Sequence, residues 1–139
     1  MRLLKTILTL ACLSCAPFIL GQEPDTVLTL LFTGDIMGHD GQIASARNDS
    51  TGTYEYDSVF RYITPFISSA DVATGNLEVT LGGPPYKGYP AFSSPDELAV
   101  ACRNAGFDIL VTANNHSADR GPKGIFRTLR VLDSLGIRH

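Results

Sequence analysis

The stretch FDILVTANNHSADRG, residues 107 to 121, decides the fold class of this 139-residue chain. An apolar run leads into two asparagines and a histidine, and a glycine closes the segment before another helical pattern. Open α/β sheets bind their ligands in loops of this kind, at the carboxyl ends of the strands. One asparagine after a strand is an ordinary turn residue. The succession Asn114, Asn115 and His116 indicates a site as well as a turn.

Two earlier apolar runs are also followed by polar residues. The three predicted strands are residues 27 to 33, 71 to 75 and 107 to 112. The first is rich in leucine and stops near Asp35, as expected of a strand buried on both faces. The second ends near Asn76 and Glu78. Because strands and helical patterns alternate, the sequence predicts an α/β fold with a mostly parallel sheet and flanking helices.

Boundary residues define the predicted helices. After Asp57, apolar residues recur at helical spacing, and Pro65 predicts a kink or a late start. Ser94, Pro95 and Glu97 have the spacing of a capping box, which predicts that a helix begins there and continues to Gly106. Leu98, Cys102 and Ala105 are predicted to face inward. A last helix is predicted from about Pro122 to Leu135, and residues 38 to 56 are predicted to form a long loop.

Residues 1 to 21 have the layout of a secretory signal peptide. Arg2 and Lys5 precede an apolar run that ends at Leu20, and cleavage is expected near Gly21. The run is short for a membrane-spanning helix, which needs roughly 20 apolar residues, so an uncleaved anchor is the lesser alternative. Residues 22 to 139 would then form a domain exported to the periplasm or cell envelope.

The cysteines and the charge narrow the classes of partner. Cys12 and Cys15 lie in the predicted signal peptide, where a lipid anchor is the less favoured alternative, and only Cys102 would remain after cleavage. The formal net charge is −3, and cleavage would remove two basic charges but no acidic ones. A mildly acidic domain has no long-range attraction for nucleic acid, so no nucleic-acid partner is expected. The basic residues of the last helix are interpreted as a solvated face; they are Arg120, Lys123, Arg127 and Arg130.

The carboxyl ends of parallel strands lie at one edge of a sheet. We therefore expect the polar residues that follow the three strands to meet there: Asp35, Asn76, Glu78, Asn115 and His116. Carboxylate and amide oxygens are ligands for hard divalent ions, and a histidine side chain titrates near neutral pH. The convergence predicts a functional site at this edge of the sheet. By contrast, His39 and Asp40 are interpreted as solvated loop residues.

Four segments together resemble the CapA family of poly-γ-glutamate capsule synthesis proteins. They are TGDIMG (33 to 38), GNLE (75 to 78), FSSP (92 to 95) and ANNHSADRG (113 to 121). The resemblance runs from about Val27 to the last residue. It implies a fold similar to that of the calcineurin-like metallophosphoesterases, in which strand ends supply a "GD" aspartate and an "NH" pair around two divalent metals.

The resemblance also implies roles for individual residues. Asp35 and Asn115 would be metal ligands, and His116 would donate a proton to the leaving oxygen. Glu78 would act as a base or a further ligand. Asn76 and Asn114 would bind substrate.

Two departures weaken a two-metal centre of the phosphoesterase type. Met37 stands where those enzymes usually have a histidine, and Asn76 replaces their middle aspartate. Each change removes a ligand for a divalent cation.

Two function classes follow from these residues. The first is an exported metal-dependent hydrolase or transferase that acts on phosphoesters or on the amide bonds of a polyglutamate-like polymer. The second is a non-catalytic envelope protein that binds or exports an anionic polymer, alongside capsule-synthesis membrane proteins. Metal content and sensitivity to chelator distinguish them. A serine esterase that begins with Gly-Asp-Ser is disfavoured because Ile36 occupies the nucleophile position.

The pattern stops at residues 136 to 139, where a fourth strand is expected to begin. We therefore interpret the fold as incomplete at its C-terminus. The residues up to His139 offer few anionic ligands for each ion, so this segment alone is expected to be inactive and a weak metal binder.

Overall fold

Three parallel strands form one sheet, in the order β1–β2–β3, in a computed structural model that describes residues 27–139. The strands are β1 (Leu30–Ile36), β2 (Val72–Leu77) and β3 (Ile109–Val111). The predicted strand order and the parallel pairing are confirmed. The predicted signal peptide lies outside the described residues.

The register places the ends of β1 and β2 side by side. Asp35 pairs with Asn76, after an irregularity in β1 between Phe32 and Asp35. Asn76 in turn pairs with Val111 of β3. On the other side of β3, the backbone N–H of Leu110 donates to the carbonyl of Arg138 at 2.9 Å, and Ile109 and Arg138 form a parallel bridge. This isolated bridge lies in the segment where the sequence predicts that a fourth strand begins.

Within residues 27–139, five helices flank the sheet: α1 (Asp40–Ala46), α2 (Asp57–Phe60), α3 (Thr64–Ile67), α4 (Glu97–Ala105) and α5 (Gly121–Leu135). Gly106 and Gly136 end α4 and α5 in the left-handed conformation, with φ of 104° and 70°. The predicted ends of both helices are thus confirmed. Leu98, Cys102 and Ala105 of α4 are buried, as predicted.

The core lies between β2 and the longer helices. Residues of β2 alternate between buried and half-buried positions, and Leu77, Leu98, Leu110 and Leu132 are almost fully buried. No helix within residues 27–139 is long and apolar enough to cross a membrane.

Several local predictions were wrong. β1 is not buried on both faces, because it lies at the edge of the sheet: Leu30 is 51% and Phe32 74% exposed. The predicted loop of residues 38 to 56 contains α1, which begins where the Gln42 side chain accepts a hydrogen bond from the backbone of His39. The single helix predicted after Asp57 is divided into α2 and α3, and Pro65 lies in the first turn of α3, which confirms the interruption that Pro65 predicted.

The predicted capping box at Ser94 is also wrong. The helix begins later, at Glu97, with Asp96 as its N-cap residue. The Ser94 hydroxyl is buried and makes no hydrogen bond within the described part of the chain. Ser94 instead packs beside the loop after β1, where a Cβ at Gly38 would collide with its side chain.

Candidate functional site

Two carboxylates meet at the carboxyl ends of β1 and β2. The Asn76 side-chain nitrogen, Nδ2, donates to Asp35 Oδ1 at 2.8 Å and to Glu78 Oε2 at 2.9 Å. Asp35 is brought there by its pairing with Asn76 in the sheet. Glu78 follows two residues after Asn76, so its side chain leaves the strand on the same face. One amide nitrogen therefore bridges two acidic groups.

The environment of Glu78 disfavours its negative charge. Its pKa is raised above the ordinary value, first by desolvation and then by the hydrogen bond and the negative charge of Asp35. The charge of His116 and the hydrogen bond from Asn76 act in the opposite direction. A cation between the two carboxylates would relieve the repulsion that Asn76 only partly offsets.

Asn114 connects this pair to the loop after β3. Its Nδ2 donates to Asn76 Oδ1 at 2.9 Å and to the carbonyl of Leu77 at 3.0 Å, and its Oδ1 accepts from the backbone N–H of His116 at 3.0 Å. Both ends of the Asn114 amide are thus engaged inside the protein. Asn114 fixes the loop to β2 and orients Asn76.

His116 is held by a carboxylate that the sequence reasoning gave no role. Nδ1 of His116 lies 2.8 Å from Asp119 Oδ2, and the two side chains are only 14% and 13% exposed. A carboxylate only accepts hydrogen bonds, so Nδ1 carries the proton of the neutral ring and Nε2 is the atom that can accept one. The same Asp119 oxygen accepts from the backbone of Phe92 at 2.8 Å.

Phe92 forms an apolar wall beside the imidazole. The rings of His116 and Phe92 meet edge to face, with centroids 4.6 Å apart. His39 is exposed, as its interpretation as a solvated residue predicts, and its ring also contacts the same phenyl ring at 5.1 Å. The Asp40 carboxylate is likewise engaged, since it accepts from the backbone N–H of Gly88 at 2.6 Å.

Thr80 Oγ1 donates to the carbonyl of His116 at 2.9 Å. The imidazole is therefore positioned on several sides.

The structure brings most of the predicted site residues into one hydrogen-bonded network. Its members are Asp35, Asn76, Glu78, Asn114, His116 and, in addition, Asp119. Asn115 is exposed, and its side chain makes no hydrogen bond to any described residue. The three-residue separation of His116 and Asp119 is the sequence feature that could have indicated their hydrogen bond. It predicts a contact only if the loop turns back between the two residues.

The donor set fits one hard cation better than a two-metal centre. Among residues 27–139, no three histidine, cysteine, aspartate or glutamate side chains form a group that could hold a metal ion. Asp35 and Glu78 alone supply two carboxylates. Mg²⁺ often takes only one or two protein carboxylates and completes its shell with water and substrate oxygens. The pair fits an ion of that kind.

Comparison with known proteins gives concordant results. The family model described as "Bacterial capsule synthesis protein PGA_cap" matches residues 29–139. The chain is 31% identical over 111 residues to the capsule biosynthesis protein CapA of Bacillus anthracis, which covers 76% of this chain and 26% of that protein. It is also 31% identical over 113 residues to the PGA biosynthesis protein CapA of Bacillus subtilis strain 168, covering 76% of this chain and 27% of that one.

An uncharacterized protein of Sinorhizobium fredii, y4sH, is 37% identical over 89 residues, which are 58% of this chain and 19% of that protein. The chain thus spans about a quarter or less of the length of these relatives. The α/β fold is compatible with part of a metallophosphoesterase-like domain. Since the family model covers most of the sequence, this chain belongs to the bacterial capsule synthesis protein family, PGA_cap.

Proposed function

We propose that this chain contributes a cation-dependent reaction site to an exported protein of capsule polymer synthesis, where it hydrolyses or transfers a bond in an anionic polymer. The observation that carries the proposal is the network that joins the Asp35–Glu78 pair to the His116–Asp119 pair through Asn76 and Asn114. The groups proposed to bind the cation and to transfer the proton therefore lie at one edge of the sheet.

Asp35 and Glu78 are the residues that would hold the divalent cation. When bound, such an ion would polarise the scissile group and lower the pKa of an attacking water. The crowding of the two carboxylates supports this role, because each lowers the cost of binding a positive charge beside the other. Asn115, exposed nearby, is proposed as a further oxygen ligand, and Asn76 keeps the two carboxylates at a fixed separation.

His116 would transfer the proton. Nδ1 is bound to Asp119, so Nε2, once it is protonated, is the atom proposed to give a proton to the leaving nitrogen or oxygen. The Asp119 carboxylate would stabilise the imidazolium formed when Nε2 is protonated, and Phe92 shields the ring on one side. Asn114 acts on the reaction by positioning the backbone of His116.

The choice of polymer follows the relatives, two of which are named for capsule or PGA biosynthesis. We infer that a γ-linked glutamate polymer is the substrate, with a phosphoester as the other candidate. Export by the N-terminal segment is part of the proposal, and it places the site in the periplasm or cell envelope. Mass spectrometry should find a mature N-terminus close to Gln22, and an intact Met1 on the cellular protein would contradict export by cleavage.

The test uses the full-length protein with γ-linked glutamate oligomers and, separately, a phosphodiester, in the presence of Mg²⁺. We expect turnover that a chelator abolishes and that His116→Gln lowers by roughly 10²-fold or more. The exposed carboxylate of Asp49 supplies a matched control, since Asp49→Asn should leave turnover unchanged. Full activity of His116→Gln would contradict the proton-transfer role. Polymer binding without any turnover would favour the non-catalytic alternative.

A further inference from the structure

A second polar feature lies on α5 and is built from residues outside the carboxylate pair. A cavity of about 400 Å³ opens between the first half of α5 and the loop after β2. We call it the basic groove, and its cationic residues are Arg120, Lys123, Arg127 and Arg130. Within the part of the chain that the structure describes, no acidic side chain lines it. Like charges three or four residues apart on a helix repel one another, so this arrangement favours an anionic ligand.

Glycines shape the groove around the arginine side chains. The stem of Arg120 lies across Gly82 and Gly124: a Cβ at Gly82 would come within 2.6 Å of Arg120 Cγ, and one at Gly124 would collide with Arg120 Cβ. The guanidinium of Arg120 also donates to the carbonyl of Pro85 at 3.3 Å. Arg120 is therefore seated in a formed surface, and the interpretation of the whole set as a solvated helix face does not hold for it.

Arg127 is fixed in the groove by hydrogen bonds to neighbouring residues. Its guanidinium makes two hydrogen bonds to the Asp96 carboxylate, at 2.6 and 2.8 Å, and a third to the carbonyl of Leu81 at 2.6 Å. Asp96 thus neutralises Arg127. Lys123 and Arg130 are exposed and form no salt bridge with a described residue, so they and Arg120 supply the uncompensated charge.

The dimensions favour an extended ligand over a single ion. Arg120 and Arg130 lie about 15 Å apart along the helix axis, at about 1.5 Å per residue, so an extended ligand can contact both without either side chain folding toward the other. Phe126, 62% exposed, adds an apolar surface on the same wall. A chain of carboxylates separated by methylene groups would meet both kinds of surface.

We propose that the basic groove binds successive carboxylates of an anionic polymer and so holds the polymer beside the carboxylate–histidine site. The loop of residues 116 to 120 connects the two, because His116 lies at one end of it and Arg120 at the other. The choice of a polycarboxylate rests on the proposed function. The positive charge of the groove does not depend on the proposed function.

The test measures binding of a fluorescent γ-linked glutamate decamer to the full-length protein by anisotropy, with EDTA present so that no cation contributes. We expect the double variant Lys123→Gln/Arg130→Gln to weaken binding about tenfold, since each exposed ion pair contributes up to about fivefold. The matched control is Arg61→Gln/Arg103→Gln, which removes the same charge from exposed positions on α2–α3 and α4. It should change the affinity by less than twofold.

A second variant separates shape from charge. Gly82→Ala retains every cation but should displace Arg120, so it should also weaken decamer binding. Thermal melts identify any variant that fails to fold. Equal weakening by the control pair would show that bulk charge binds the polymer and would overturn the inference. The inference would also be overturned if inorganic phosphate displaced the decamer at a concentration that carries no more negative charge than the decamer does. If the groove variants lost decamer binding but kept turnover, the inference would fail and the proposed function would stand. If the wild type bound the decamer through the groove without turnover, only the proposed function would be contradicted.

Discussion

At the scale of single residues, the central feature is two acidic groups that share one hydrogen-bond donor. Asn76 gives both hydrogens of its amide to Asp35 and Glu78 while its oxygen accepts from Asn114. A fold without a ligand has little reason to place two carboxylates together, because their mutual repulsion is destabilising. This crowding supports the proposed cation site.

The pKa of Glu78 tests that crowding. It is raised above its ordinary 4.5, so the folded protein retains a proton that the unfolded chain releases. The free energy of unfolding should therefore fall as the pH rises from about 4.5 through the raised pKa. Asp35→Asn removes the second and third largest causes of the shift, so it should lower the Glu78 pKa, although desolvation remains. NMR titration of the Glu78 carboxyl carbon would measure this. Asp49→Asn should have no effect, and an unchanged Glu78 pKa in Asp35→Asn would contradict the proposed contact.

At the scale of secondary-structure elements, Ser94 distinguishes two views of how α4 begins. If Ser94 capped the helix, Ser94→Ala would cost about 1 kcal/mol. In the structure its hydroxyl is buried without a partner among the described residues, and Asp96 is the N-cap residue. Removing a buried hydroxyl that makes no hydrogen bond is neutral or stabilising. We therefore expect denaturant unfolding of Ser94→Ala to give an unchanged or slightly higher free energy of unfolding, and a loss near 1 kcal/mol would restore the capping box.

Two glycines should respond in opposite directions to alanine. Gly106 ends α4 at a φ of 104°, and an added Cβ would lie 3.1 Å from the Ser68 backbone, so Gly106→Ala should cost about 1–3 kcal/mol. Gly41 lies in α1 with nothing within 4 Å of an added Cβ. Gly41→Ala should increase stability by roughly 0.5–1 kcal/mol. Thermal or denaturant unfolding of both variants checks the assignment, and a harmless Gly106→Ala would be inconsistent with the left-handed helix end.

The elements predicted from sequence were those with a strong periodic or boundary signal. The three strands and the glycines that end α4 and α5 were clear because apolar runs and helix-ending glycines act locally. α1 was missed because a helix of seven residues with one buried side chain, Ile43, has too little periodicity to stand out from a polar segment. The exposure of β1 was missed because it depends on what covers the edge of the sheet, which β1's own sequence does not record.

At the scale of the whole molecule, topology explains why much of the candidate site could be predicted. Parallel strands bring their carboxyl ends together, so the polar residues at the ends of β1 and β2 and after β3 had to meet if the strand prediction was right. Asp119 could not be assigned in this way. It reaches His116 only because the loop turns back, with the hydroxyl of Ser117 donating to the carbonyl of Asn114 and the N–H of Gly121 donating to that of Ala118.

The most direct test of the account is calorimetric titration of Mn²⁺ into the full-length protein and its carboxylate variants. We expect a cation site that is weakened at least tenfold by Asp35→Asn and by Glu78→Gln, because each variant removes one of the two anionic ligands. Asp49→Asn, which removes an exposed carboxylate beside Arg47, should bind Mn²⁺ as the wild type does. Equal Mn²⁺ affinity in all four proteins, or no binding to the wild type, would contradict the claim that Asp35 and Glu78 form a cation site.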